Sequence, residues 1–174
     1  MIRQIIGSLI MLVVFIVIIV LVIMGFQANW KWQNDYFNYW QLSDKASTIS
    51  QKSEYVDKFV GALENSGLQG QNSHLIWKTN NSSFDQNMLA LKSLQSRLQE
   101  IKTLDQNSFA YQTAIQQITE QEQGQADEML GVIESCWWRV HYYYFWNGWI
   151  LFGIIGVLFL FAIIRGALAF YDKY

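Results

Sequence analysis

Two apolar runs bracket the chain, and the residues between them follow a polar, helical rhythm. Gln4–Trp30 holds no charged side chain, and its apolar part, Ile5–Phe26, is 22 residues long. A bilayer core needs roughly 20 helical residues, so a membrane span is expected at 5–27. The run exceeds the ~7–15-residue apolar region of a cleaved signal peptide. Met24–Ala28 also lacks a small-x-small cleavage pattern, so an uncleaved anchor is expected. The second run is Tyr142–Ile164, strongest over Ile150–Ile164 and closed by Arg165. In lipid a single segment satisfies its own backbone only as a helix, which predicts a second span at 142–165.

Between these runs the apolar positions recur in steps of three and four. Leu42, Ala46, Ile49, Ser53, Val56, Val60 and Leu63 form a heptad seam within a single helix expected over 30–64. Small Ala46 and Ser53 suggest close approach by a partner helix, and no breaker separates this helix from the first anchor. As one rod it would reach on the order of 50 Å at 1.5 Å per residue. Gly67 and Gly70 end it, and 65–82 is the expected loop. Inside that loop Leu75, Ile76 and Trp77 form an apolar island beside His74. The island is expected to cap the far tip of a bundle, with a partner-docking site as the alternative. Ser82 with Asp85 resembles a capping box.

A second helix, expected over 84–103, presents Phe84, Met88, Leu91, Leu94, Leu98 and Ile101 on one face. A third, over 108–141, uses Tyr111, Ala114, Ile115, Ile118, Met129 and Val132, and is expected to continue into the second anchor. Its polar stretch Gln116–Gln125 reads either as a solvated face or as a polar layer that sets register. Three helices between two anchors leave the chain on the wrong side for a return. Either the loop travels partway back or the second helix crosses the tip, and neighbouring chains enter the expectation.

Composition sharpens this layout. Six of the eight tryptophans, Trp30, Trp32, Trp137, Trp138, Trp146 and Trp149, gather where the first run ends and the second begins. Indole and phenol rings favour the headgroup layer, so these residues are expected to form one interfacial belt. A smaller belt is expected at Phe170, Tyr171 and Tyr174. Arg3, Arg165 and Lys173 favour cytoplasmic termini, 1–4 and 166–174, with 28–141 extracytoplasmic. The chain carries a net charge of −2 and no basic stripe, which sets nucleic acid aside. With no proline in the sequence, no helix is forced to break.

Chemistry-bearing residues are sparse. His74 and His141 lie far apart, and Cys136 and His141 are five residues apart, which does not place them on one helical face. No metal or other cofactor is expected. Cys136 is expected to be a buried thiol, with a disulfide between subunits as the alternative. The sequence has no phosphate-binding glycine loop, nucleophile elbow or HExxH pattern. The apolar runs carry no Asp, Glu or Lys, the groups that usually line ion paths. Ala162 and Gly166 match a small-xxx-small spacing for helix association.

Three blocks, Tyr39–Ile49, Leu91–Ile101 and Ser108–Ile118, resemble predicted bacterial membrane proteins with two spans and a helical extracytoplasmic domain. The resemblance implies a bacterial cytoplasmic-membrane setting and no activity. The layout is also similar to the sensing domains of chemoreceptors, but nine residues follow Arg165 in this sequence, so no signalling module is expected.

The expected fold is all-α: two transmembrane helices continuous with a long-helix, coiled-coil-like extracytoplasmic bundle. The expected role is noncatalytic, that of a structural or scaffolding protein. It would self-associate or serve as an accessory subunit with other membrane subunits, in contact with membrane lipid. The alternative is an extracytoplasmic binding module for a lipid, peptide or partner protein.

Overall fold

In a computed structural model, which describes residues 2–105, 108–146, 153–161 and 163–164, every regular element is helical. Helix α1 spans Ile2–Trp32, a π-helical turn follows at Gln33–Phe37, and α2 runs over Asn38–Asp44. Then come α3 at Ile49–Glu64, α4 at Phe84–Lys102, α5 at Phe109–His141 and a short α6 at Tyr143–Trp146. Residues 153–161 and 163–164 are also helical. The chain divides into two units: Met1–Asn29 with Tyr142–Tyr174, and Trp30–His141.

In the first unit, the segment beginning at Gly7 is helical and apolar for long enough to cross a membrane. Its large side chains are exposed along its length, with Leu9 at 61 % and Phe15 at 61 %. Gly25 faces the Phe145 ring, where an added Cβ would come within 3.1 Å of Cε1. Of the second apolar run, the described residues after Tyr142 are helical, and Val157 and Phe159 are exposed. Trp149, Ala162, Arg165, Gly166, Phe170, Tyr171 and Tyr174 lie outside the described residues.

The second unit corrects the single helix expected over 30–64. The helix ends at Asp44, residues 45–48 turn, and α3 starts at Ile49. The Thr48 side chain caps α3 by accepting from the Gln51 N–H at 3.2 Å. With α2 and α3 folded together, Trp40 lies 5.6 Å from Phe59, centroid to centroid. The break therefore makes a hairpin whose two arms bury aromatic rings against each other. The seam is divided by it. Leu42 and Ala46 precede α3 and are half-buried, as is Ile49, while Ser53, Val56, Val60 and Leu63 are buried within this unit.

Helix α4 runs antiparallel to α3. Lys92 pairs with Glu64 at 2.6 Å, and Gln95 and Gln99 both donate to Asp57 Oδ1, at 2.7 and 3.3 Å. The anticipated face of α4 is buried at all six positions: Phe84, Met88, Leu91, Leu94, Leu98 and Ile101. In α5, Ile118 is buried as expected. Farther along, the buried positions are Leu130, Ile133, Cys136 and Trp137, one residue beyond the expected Met129 and Val132, which are half-buried. The side chains of Gln121, Glu122 and Gln125 lie outside the described residues.

Four helical arms thus alternate in direction: up to Asp44, back along α3, forward along α4, back along α5. The second unit has four arms where three helices were expected. The continuity expected between the third helix and the second span is also corrected. Helix α5 stops at His141, and Tyr142 is non-helical before α6.

Candidate interaction site

The chain enters the second unit at Trp30 and leaves it at His141, and aromatic packing draws these points together. Trp32 stacks on Tyr36 with centroids 5.4 Å apart and meets Trp137 at 5.5 Å. The π-helical turn just after Trp32 widens the helix there. Tyr36 also touches Trp137 edge-on at 6.1 Å. Trp137 then stacks on His141 at 5.1 Å, and Trp138 lies perpendicular to it at 5.4 Å. Aromatic pairs of this kind contribute about 0.5–1.5 kcal/mol each beyond their buried area.

This arrangement revises the expected belt. Trp32 and Trp137 are buried, at 1 % and 0 % exposure, so they are interior residues. Trp30 is exposed and Trp138 is half-buried, with its Nε1 donating to Glu134 at 3.2 Å. The Trp146 side chain and Trp149 lie outside the described residues. A tryptophan-rich cluster reads alike for a lipid interface and a protein core. What separates them is a facing ring, here supplied by an element more than a hundred residues away.

The loop between α3 and α4 reaches the same end. Gly67 and Gly70 both take φ of 72°, the left-handed conformation that lets the chain turn off α3. The Gly70 N–H donates to both carboxylate oxygens of Asp85, at 3.1 and 3.2 Å. Asp85 therefore anchors the loop, which corrects the expected capping box. Ser83 takes the N-cap position without a side-chain bond, and Ser82 Oγ instead donates to Asn72 Oδ1 at 2.9 Å.

Two segments of this loop form a neck. Asn72 and Ser83 make an isolated antiparallel bridge, the Ser73 N–H donates to Ser82 O at 2.8 Å, and the Phe84 N–H donates to Gln71 O at 2.9 Å. Ser73 and Ser82 are buried, whereas every residue from 74 to 81 is exposed. Arg139, in the last turn of α5, grips the neck. Its Nη1 donates to the carbonyls of Asn72 and His74, and its Nη2 donates to Gln71 Oε1 at 3.3 Å. Arginine suits this position because its fork satisfies several acceptors from one rigid group.

The apolar island expected to cap the far tip therefore lies beside the end of α5. It caps nothing within its own unit: Leu75 is 45 % exposed, Ile76 79 % and Trp77 81 %. Lys78 follows it and is also exposed. The sequence signals of the neck were present in Asn72, Ser82 and Arg139, but their pairing across the chain was not.

Cys136 is fully buried beside the start of α4, as expected for a buried thiol. Burial pushes its pKa from 9.0 up to about 11, outweighing the Arg139 charge and the Phe84 backbone hydrogen bond that favour the thiolate. At neutral pH it is an unreactive thiol. Among the described residues no group of three or more His, Cys, Asp or Glu could hold a metal ion. An open cleft of about 380 Å³ lies at the α2–α3 turn, lined by Asp44, Ala46, Lys52, Lys102, Tyr111 and Ile115 among others.

Compared with known protein families, curated proteins and solved structures, the chain matches none.

Proposed function

We propose that this chain is a noncatalytic structural or accessory subunit of a membrane complex. Two spans anchor a helical domain on the extracytoplasmic side of a bacterial cytoplasmic membrane. The observation that carries this reading is the first helix. Its apolar side chains are exposed along successive turns, with Leu12 at 57 %, Phe15 at 61 % and Val22 at 51 %. Water does not tolerate a contiguous apolar surface of that extent, whereas lipid or neighbouring helices do.

The noncatalytic part is supported by what the polar side chains of the site do. Arg139, Asp85, Asn72 and Ser82 all hold the neck closed. The heptad positions of α3 are occupied by this chain's own core, so self-association rests on the membrane helices and the exposed loop. The test is native mass spectrometry of the complex extracted from its source in mild detergent. A discrete oligomer, or a defined complex with other membrane subunits, is the expected result. A lone monomer would overturn the proposal.

A binding module is the second reading, favoured by the exposed Leu75, Ile76 and Trp77.

A further inference from the structure

Three exposed apolar side chains on a braced loop are costly in water and call for an occupant. Taking a Leu or Ile side chain out of water is favourable in proportion to the apolar area removed. The loop is not loose: its neck is closed by the Ser73–Ser82 backbone bond and held by Arg139. The His74 carbonyl lies 3.2 Å from Arg139 Nη1, so the apolar triplet starts one residue beyond a point fixed to the last turn of α5. That turn ends at His141, where the chain leaves the unit for the second apolar run. Trp32, buried against Trp137, places the incoming chain at the same end, and exposed Trp30 precedes it.

From this placement we infer that Leu75, Ile76 and Trp77 insert into the interfacial layer of the same bilayer that the chain crosses, making a third contact with lipid. The inference rests on the membrane-spanning reading above. Continuity selects lipid as the occupant. The triplet shares its end of the unit with both chain connections and with Trp30, and it follows the order of an interfacial anchor. Leu75 and Ile76 supply aliphatic depth, Trp77 supplies an indole that favours the headgroup boundary, and exposed Lys78 supplies a cation for anionic headgroups.

The test uses the full chain in vesicles of equal parts phosphatidylcholine and phosphatidylglycerol. Spin labels are placed one at a time on a Cys136→Ala background, at Ile76→Cys and, as a second site, at Trp77→Cys. Collisional accessibility to oxygen, which partitions into lipid, is compared with that to a water-soluble nickel chelate. Ser50→Cys, exposed on α3, gives the aqueous reference, and Leu12→Cys gives the bilayer reference. The expected result is an oxygen-to-nickel ratio at both loop sites several-fold above that of Ser50→Cys. A ratio equal to Ser50→Cys at both loop sites, with Leu12→Cys in lipid, overturns the inference and leaves the membrane reading intact. Protection of the loop sites from both reagents overturns it in favour of a protein partner. A Leu12→Cys label in water overturns the membrane reading itself.

Discussion

The neck of the loop depends on one side chain, and Arg139→Met isolates its contribution. Methionine keeps the apolar stem but removes the donors to Asn72 O, His74 O and Gln71 Oε1. A hydrogen bond to a charged group contributes about 1.5–3 kcal/mol. Here the guanidinium is half-exposed, and water can replace it on the freed carbonyls. The set therefore contributes about 2 kcal/mol, comparable to one such bond. At 1.4 kcal/mol per factor of ten, the open form of the neck should become roughly 30-fold more populated. Hydrogen exchange measured by mass spectrometry on the full chain in nanodiscs reads this directly. Peptides carrying the Ser73 and Phe84 amides, both donors in the neck, should exchange about 30-fold faster, with α3 unaffected. Arg139→Lys should fall between, because one ammonium cannot span the same acceptors. Unchanged exchange in the neck would refute the clamp. Equal acceleration throughout α3 would show Arg139 to be a support of the whole unit.

Three further outcomes test other parts of the fold. Gly70→Ala should destabilise the domain by about 1–2 kcal/mol, the cost of a left-handed residue with a Cβ. Nothing lies within 4 Å of that Cβ, so thermal unfolding reads backbone strain alone. Thr48→Ala should cost about 1 kcal/mol through loss of the α3 cap, with Thr48→Ser restoring it; equal melting temperatures for all three would remove the cap from the account of the hairpin. Cys136 should resist iodoacetamide at pH 8 in the folded chain and react once denatured. Its pKa is raised from 9.0 to about 11 in the fold, so the folded state holds the proton more tightly. That stabilisation is complete below pH 9 and is lost as pH rises towards 11. Urea midpoints should therefore fall more steeply over that window than in Cys136→Ala.

The sequence carried α4 almost residue for residue, because that helix is amphipathic over its whole length and its apolar face meets only its own unit. It did not carry the break at 45–48. Lys45, Ala46, Ser47 and Thr48 include no glycine or proline, and the heptad steps pass through them without interruption. The available signal was Thr48 as a helix cap, three residues before Gln51, whose N–H it accepts. What decides against a longer helix is tertiary: folding back at 45–48 lets Trp40 reach Phe59 and lets α3 bury Val56, Val60 and Leu63.

That one break also relocates the loop. With an unbroken helix over 30–64, residues 65–83 would lie far from Trp32, and Leu75–Trp77 would be the cap of a distant tip. With the chain reversed at 45–48, α3 ends near its starting level, so the loop arrives beside α5. Only there can Arg139 reach the Asn72 and His74 carbonyls, and only there can Cys136 lie against the start of α4. The exposed triplet and the buried tryptophan pair are thus consequences of the same reversal. It draws Trp32 and Trp137 into the interior and leaves Leu75, Ile76 and Trp77 uncovered at that end. Under the proposed insertion, contact with the headgroup layer, first assigned to Trp32 and Trp137 among others, becomes a role of Leu75, Ile76 and Trp77.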